Sequence, residues 1–335
     1  MFDLHTHTIH SDGRTRPSEN ARLAWQAGLS GVAVTDHDTA AGWPEAERAC
    51  HELGLEFVPG IELSAEDPQA GGRSVHILGY FVDAEDPALA GECARLRGER
   101  EARAERMVEL LHSHGIELTF AQVREFAADA PIGRPHVAEA LVAVGAVADT
   151  QQAFDRWLAE GQPAYVDKHA VTPEDAVALI RGAGGVAVLA HPGLDRAEPV
   201  PEDPSDDDVL VRPWEGAGSR SPADVAPVGS EGSSRGQPSA GSPGLSLDLL
   251  DRLTVAGLSG VEADHVAHEE VARRRWQAAA VARGLLVTGS SDFHGRYEDE
   301  RIGSAATSVR VLYALRDRAA DRPVDALRTE GSTPW

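Results

Sequence analysis

The chain has 335 residues, 42% hydrophobic and 25% charged, enough to bury a large core in one barrel-sized domain or two smaller ones. Its 54 acidic and 31 basic side chains leave a net charge of −23, a surface that repels the phosphate backbone and argues against wrapping long duplex nucleic acid, though not against a small anionic substrate in a locally positive pocket. Cys50 and Cys93 lie far apart in helical contexts and form neither a disulfide framework nor a thiolate site, which fits a reducing cytoplasm; no apolar run is long enough to span a bilayer, and the start shows no basic or apolar leader.

The opening run Asp3-Leu4-His5-Thr6-His7-Thr8-Ile9-His10-Ser11-Asp12-Gly13 begins as a strand. Alternation puts His5 and His7 on one side of it, with Asp12 following on a glycine-containing turn. Imidazole and carboxylate are the ligands that divalent transition metals accept in the absence of thiolate, but one short His-x-His pattern carries little weight alone. Arg16-Pro17-Ser18-Glu19 places a proline early and an acid in the first turn, which predicts a helix start; Gly28 ends that helix. Gly31-Val32-Ala33-Val34-Thr35 reads as a strand running into Asp36-His37-Asp38. A helix over 44–53 stops at Gly54, and a third strand over 55–59 leads to Gly60-Ile61-Glu62-Leu63-Ser64. Strand, turn and helix repeating in this way predict a parallel α/β architecture, in which chemistry collects on the loops after the strands.

A strand over 73–82 contains His76, and a long Arg/Glu-rich helix is expected over 87–114. Its 99–106 stretch has opposite charges at helical spacing and reads as a solvated face. Further helices over 120–128, 135–144 and 150–160 make 87–161 a helical insertion subdomain within a discontinuous barrel of 1–86 and 162–310. The pattern resumes with a helix over 172–181 and a strand over 185–190 ending in His191-Pro192. Residues 195–243 are rich in Pro, Gly, Ser and Asp and almost free of apolar periodicity, a composition that predicts a disordered surface insertion dispensable for chemistry. A helix to Ala256, a strand over 258–262, a helix over 269–283 and a strand over 285–289 follow, the last ending in Ser290-Ser291-Asp292-Phe293-His294-Gly295. The chain after Thr307 reads as peripheral, with 311–335 a C-terminal tail and 323–327 opening a last helix.

His5, His7, Asp12, His37, Glu62, His76, His191, Asp292 and His294 thus fall almost entirely at predicted strand ends, and Asp292 and His294 repeat the two-residue spacing of His5 and His7. At three protein ligands per ion, six imidazoles and three carboxylates suit two or three metals. Mixed N and O donors point to Mn, Zn or Fe rather than Mg or Ca.

On Asp3-Leu4-His5-Thr6-His7 with Ser11-Asp12-Gly13, Thr35-Asp36-His37-Asp38, Gly60-Ile61-Glu62-Leu63-Ser64, His76, His191-Pro192 and Gly289-Ser290-Ser291-Asp292-Phe293-His294-Gly295, the chain resembles the PHP (polymerase and histidinol phosphatase) family of metal-dependent phosphoesterases. The resemblance implies an α/β fold, a distorted (β/α)7 barrel with a helical insertion subdomain. It implies a three-ion cluster: His5, His7, Glu62 and Asp292 on one ion, Glu62, His76 and His191 on a second, Asp12, His37 and His294 on a third, with Mn2+ ahead of Zn2+ or Fe2+. Within the family the chain looks most like the stand-alone branch that acts on 3′,5′-nucleoside bisphosphates and removes nucleotides from the 5′ ends of short RNAs, a likeness supported by Gly133-Arg134-Pro135-His136. The chemistry this implies is attack on phosphorus by a metal-bridged hydroxide. Arg134 and His136, at a helix start, are candidate phosphate anchors, Lys168 is another candidate that reads almost equally as an exposed loop lysine, and His191 is a candidate catalytic residue. The expected partner is a small phosphorylated nucleotide or short RNA, with no long duplex nucleic acid, no membrane and a monomeric, cytoplasmic chain. The alternatives are a phosphatase for another small phosphomonoester, such as histidinol phosphate, or a catalytically silent metal- or partner-binding module.

The other histidines carry blander readings. His51, His112 and His114 sit on helical patterns and read as solvated, while His10 and His169 are read as outside the ligand set. His265 and His268, just past Val261-Glu262, read as structural more often than pocket-lining. Asp36 and Asp38 are expected to orient His37, because metal-bound imidazoles usually need an acceptor behind them.

Overall fold

Seven strands pair in chain order around a barrel in the computed structural model, which describes residues 1–127, 132–159, 161–166, 171–194, 245–296 and 299–320. The strands are β1 (Phe2–Asp3), β2 (Gly31–Val34), β3 (Glu56–Asp67), β4 (Arg73–Tyr80), β5 (Val186–Leu189), β6 (Gly260–His265) and β7 (Leu286–Ser290). Bridges between Phe2 and Thr307 and between Thr6 and Phe293 bring the first and last strands together and nearly close the ring. The distorted (β/α)7 barrel expected from sequence is therefore the fold observed, with one change of direction. β3 does not stop at Pro59; it runs on through Glu62 and forms a hairpin with β4, which pairs antiparallel to both β3 and β5, whereas the other pairs are parallel. A hairpin needs only a short turn, supplied by Pro68–Ala70 and the left-handed Gly71 and Gly72, so no helix intervenes.

The helices are α1 (Pro17–Gln26), α2 (Trp43–Leu53), α3 (Pro87–Ser113), α4 (Phe120–Ala127), α5 (Arg134–Ala143), α6 (Thr150–Ala153), α7 (Pro173–Gly182), α8 (Leu247–Ala256), α9 (Glu270–Ala282) and α10 (Val309–Ala320), with a π-helical turn over Phe154–Leu158 after α6. Five of them carry proline in the first turn, where the missing N–H costs nothing. Asp86, Thr172 and Ser246 cap α3, α7 and α8 by accepting N–H bonds from the first turn. Helices α3 to α6 share an apolar core of their own, built on Leu111, Val123, Leu141 and Leu158.

Strand alternation divides the barrel into two surfaces. On β3 and β4, Ile61, Leu63, Val75 and Ile77 point outward against α7 and α8. Their neighbours Val58, Leu78 and Tyr80 point inward, where they join Phe2, Leu4, Ala33, Val186 and Val188 in an apolar plug. Gly60 is part of this fit, because a Cβ there would lie 2.7 Å from Thr35 and 3.2 Å from the Tyr80 ring. Toward the C-terminal ends of the parallel strands the inward positions turn polar: Glu62 and Ser64 on β3, His76 on β4, Glu262 on β6, Thr288 and Ser290 on β7. The opposite mouth is covered by α10, whose Leu312 and Leu315 are fully buried and whose Arg318 donates to the carbonyls of Ser259 and Gly284, just ahead of β6 and β7. The stretch after Thr307, expected to be peripheral, thus contributes Leu312 and Leu315 to the core. Residues 195–243, Lys168, His169 and 323–327 lie outside the described residues.

Candidate metal centre

The polar end of the barrel gathers all nine sequence-derived donors. His5 and His7 extend from β1 past a backbone bond of His7 N–H to the Phe293 carbonyl at 2.8 Å. Asp12 follows on the turn closed by Gly13 N–H to Thr8 O at 3.0 Å. His37 comes just after β2, Glu62 and His76 from the β3–β4 hairpin, His191 from the end of β5, and Asp292 and His294 from the end of β7. Left-handed backbone at Asp38, His191 and Asp292 (φ 54°, 23° and 50°) marks local strain held in the same shell.

Glu62 lies at the middle of the group and is buried. Its Oε2 is 3.3 Å from His5 Nε2, 3.2 Å from His7 Nε2 and 3.1 Å from His37 Nδ1. Its Oε1 is 2.9 Å from His76 Nδ1 and 3.2 Å from His191 Nε2. Asp292 Oδ1 is 3.2 Å from both His5 Nε2 and His7 Nε2, and those two nitrogens are 3.0 Å apart. Asp12 Oδ2 faces His294 Nε2 at 3.3 Å, while Oδ1 stands 3.5 Å from His7 Nδ1 and 4.0 Å from His37 Nε2. The nine residues therefore separate into overlapping groups whose ligand atoms lie within 4.8 Å of one another.

Two observations test whether divalent metal ions fit this arrangement. Ligand atoms about 2.1 Å from one ion stand roughly 3.0–3.4 Å apart, depending on coordination number, and His5 Nε2, His7 Nε2, Glu62 Oε2 and Asp292 Oδ1 are spaced within 3.0–3.3 Å wherever measured. In addition, His37 Nδ1, Glu62 Oε2 and Asp292 Oδ1 are buried with no hydrogen-bond partner among the described residues, a costly state unless something else satisfies them. The electrostatics agree. Burial alone would raise the carboxyl pKa values of Asp12, Glu62 and Asp292, but the surrounding imidazoles hold all three well below the usual carboxylate range. Conversely, burial disfavours charged His7, yet Asp292 and Glu62 push it up to about 10. A cation at this position would replace those protons.

Several sequence expectations are corrected in the surrounding layer. Asp36 and Asp38 do not touch His37. Asp36 accepts from Thr8 N–H at 2.7 Å and from the Thr8 and Ser11 hydroxyls at 2.6 Å each, so it shapes the turn that presents Asp12. Asp38 accepts the Ser64 N–H at 3.0 Å and pairs with Arg100. The Arg/Glu stretch of α3 is not simply a solvated face: Arg97, Arg100 and Arg103, three residues apart, turn toward the barrel, where Arg100 also donates to Ser64 Oγ at 2.6 Å and Arg103 to the Val166 carbonyl at 2.9 Å. That spacing was visible in the sequence as one helical face. Glu262 and His265, not assigned to the ligand set from sequence, are buried against it, with Glu262 Oε1 3.0 Å from His5 Nδ1. An acid flanked by outward-facing Val261 and Ala263 at an inward strand position was the available signal.

A cleft of about 600 Å3 opens beside the cluster; its lining includes Asp12, His37 and His76 of the donor set together with Glu66, Arg73, Arg100, Arg103, Arg134, His136 and Arg296. It is basic in a strongly acidic chain. Burial and the neighbouring Arg134 bring the Arg103 pKa down to about 10, a sign of crowded positive charge. His136 lines the cleft, and its Nδ1 accepts the Gly133 N–H at 3.1 Å and so caps α5. Burial lowers its pKa, which leaves a neutral ring with its proton on Nε2.

A PHP domain model matches residues 3–159. The chain is 36% identical to a 5′-3′ exoribonuclease of Haemophilus influenzae over 191 residues, 57% of this chain and 68% of that one. It is 39% identical to a 3′,5′-nucleoside bisphosphate phosphatase of Chromobacterium violaceum over 194 residues, 57% and 67% of the two chains. It is 30% identical to a phosphoribosyl 1,2-cyclic phosphate 1,2-diphosphodiesterase of Eggerthella lenta over 298 residues, 88% and 94%. A crystal structure from Bifidobacterium adolescentis, assigned as a metal-dependent phosphoesterase, superimposes with a TM-score of 0.73 at 30% identity, covering 95% of this chain and 96% of that one. The chain belongs to the PHP-domain family.

Proposed function

We propose that this protein is a metal-dependent phosphoesterase that removes phosphate from 3′,5′-nucleoside bisphosphates and releases 5′ nucleotides from short RNA. The observation that carries this reading is the juxtaposition of the nine-donor cluster with the arginine-lined cleft of about 600 Å3, a volume suited to one nucleotide. His5, His7, Glu62 and Asp292 would hold one divalent ion, Glu62, His76 and His191 a second, and Asp12, His37 and His294 a third, with Mn2+ the first choice and Zn2+ or Fe2+ the others. When bound, such ions supply a water nucleophile at neutral pH and offset charge on the phosphoryl oxygens.

The chain's own groups do the rest. Arg134 at the start of α5 and the Nε2–H of neutral His136 donate to phosphate oxygens, with charge-assisted bonds stronger than neutral ones. Arg100 and Arg103 bring further positive charge to the rim, and Arg296 braces the Asp12 turn by donating twice to its carbonyl, at 2.9 and 2.6 Å. Ser11 and Asp36 fix the same turn from below. Lys168, two residues beyond Val166 in sequence, is a further candidate phosphate contact. The chain is read as a cytoplasmic monomer, its buried, unpaired Cys50 and Cys93 in keeping with a reducing compartment.

A cyclic-phosphate phosphodiesterase is the second reading, favoured by the relative that matches along 88% of this chain. A substrate panel separates the two. With Mn2+, the purified protein is expected to release phosphate from adenosine 3′,5′-bisphosphate and 5′-AMP from a short 5′-phosphorylated RNA. Turnover of a 1,2-cyclic ribose phosphate alone would assign the second activity, and no turnover on any of the three would overturn the enzymatic reading.

A further inference from the structure

Behind the nine donors, the end of β6 places a second set of side chains against faces of the ligand residues that point away from the cluster. Glu262 is fully buried. Its carboxylate accepts the His191 backbone N–H at 2.8 Å and the Ser290 hydroxyl, and its Oε1 lies 3.0 Å from His5 Nδ1. Every close partner of this carboxylate is a donor, so it takes a proton from the His5 side only as Nδ1–H. That leaves the His5 Nε2 lone pair facing Glu62 and Asp292. His265 repeats the device three residues on. Its Nδ1 accepts the Ala267 N–H at 3.2 Å, which puts its proton on Nε2. Nε2 is buried with no hydrogen-bond partner among the described residues and is aimed at Asp292 Oδ2, 3.5 Å away, while Asp292 Oδ1 faces His5 and His7. His268, three residues further, bonds the Ala263 carbonyl through Nδ1 at 2.8 Å and accepts the Gly193 N–H at 3.0 Å, which pins the loop after His191.

We propose that Glu262 and His265 are positioning residues of the metal centre: Glu262 locks the His5 ring with Nε2 presented to the ion, and His265 holds the outer oxygen of Asp292 so that the inner one stays turned inward. This rests on the metal-centre reading above. Groups placed behind ligands in this way typically change metal affinity by about 10- to 100-fold when removed. A merely structural buried pair would change folding stability and leave affinity alone.

The test uses the full chain with Zn2+ as probe. Affinity and stoichiometry are measured by chelator competition for the wild type, Glu262→Gln and His265→Asn, each checked for a native circular dichroism spectrum. Long-range 1H–15N spectra of the Zn2+-loaded wild type report which His5 nitrogen is bound. The expected result is Nε2 ligation with a proton on Nδ1, and affinity losses of about 10- to 100-fold in Glu262→Gln and about 10-fold in His265→Asn. Nδ1 ligation by His5, or wild-type affinity in a folded variant, overturns the proposal. If Glu262→Gln does not fold, His265→Asn decides alone. A wild type that binds no Zn2+ and no Mn2+ defeats the metal-centre reading itself, a result distinct from unchanged affinity in the variants.

Discussion

Asp12 and Asp292 illustrate how much a single carboxylate does in this barrel. Each faces two or more imidazoles at 3.2–4.0 Å, and each is held ionised against burial by them. Asp12→Ala or Asp292→Ala is expected to lower kcat/KM on the best substrate by roughly 10³-fold, the scale on which electrostatic transition-state contacts act, with circular dichroism unchanged; losses under tenfold would contradict their role. Asp3 makes a separate point about pH. It is buried and accepts N–H bonds from Ser291 at 3.0 Å and Gly303 at 2.7 Å, yet desolvation outweighs them and raises its pKa from 3.8 to about 6. An acid with a raised folded-state pKa contributes stability that is complete below the unfolded value and is lost as pH climbs through the folded one. Ionised Asp3 therefore costs on the order of 3 kcal/mol at pH 7 relative to pH 3. The stability of Asp3→Asn minus that of wild type, from urea melts at pH 4 to 7, is expected to rise with pH; a flat difference would contradict the assignment. At this scale the sequence made the donors legible because metal chemistry restricts residue type and spacing. Glu262 carried only the weak signal of an acid at an inward strand position and His265 none, since a group that acts through another ligand has no spacing rule of its own.

At the scale of elements, the centre is built from strand ends and one hairpin. Reading 55–59 as a complete strand missed that Pro59 and Gly60 continue into the longest strand of the sheet, because a Pro-Gly pair usually signals a turn. Here Pro59 pairs in parallel with Val34, and Gly60 makes room for Tyr80. The consequence for the site is direct: the hairpin register sets Ser64 opposite His76 and Glu62 opposite Leu78, so both Glu62 and His76 face inward two residues apart along the barrel. The α3 stripe of Arg97, Arg100 and Arg103 was legible as a helix face, but which face met the barrel depends on long-range packing that no local pattern encodes. The Ser11-Asp12-Gly13 turn offers a test of element geometry. A Cβ on Gly13 would stand 2.6 Å from the His7 carbonyl and 2.7 Å from Thr8 N, so the turn must shift and carry Asp12 with it. Gly13→Ala is expected to cost about 10²-fold in activity, the penalty of roughly ångström-scale misplacement, while the thermal transition stays cooperative. Wild-type activity would show that Asp12 is not held by this turn.

Across the whole molecule, the barrel is layered along its axis. α10 covers one mouth, Phe2, Leu4, Leu78 and Tyr80 fill the middle, and the His/Asp/Glu cluster lies at the other end beneath an arginine-lined cleft. The fold class was readable because apolar strands recur at barrel-like spacing and their ends carry the polar residues. The closing role of α10 was not, since two inward leucines in a short amphipathic segment look like any surface helix. The chain's net charge of −23 contrasts with the arginines that line the mouth of the cleft, and on the function proposed above a short anionic substrate is expected to enter it more readily than an extended polyanion. Nine side chains scattered from His5 to His294 are proposed above to form one metal centre. Anomalous X-ray diffraction at the manganese edge, on crystals of the Mn2+-loaded protein, tests it most directly. Three peaks are expected, two beside the Glu62 carboxylate and the third between Asp12, His37 and His294. Absence of any peak among these residues, or manganese bound only elsewhere on the acidic surface, would contradict it.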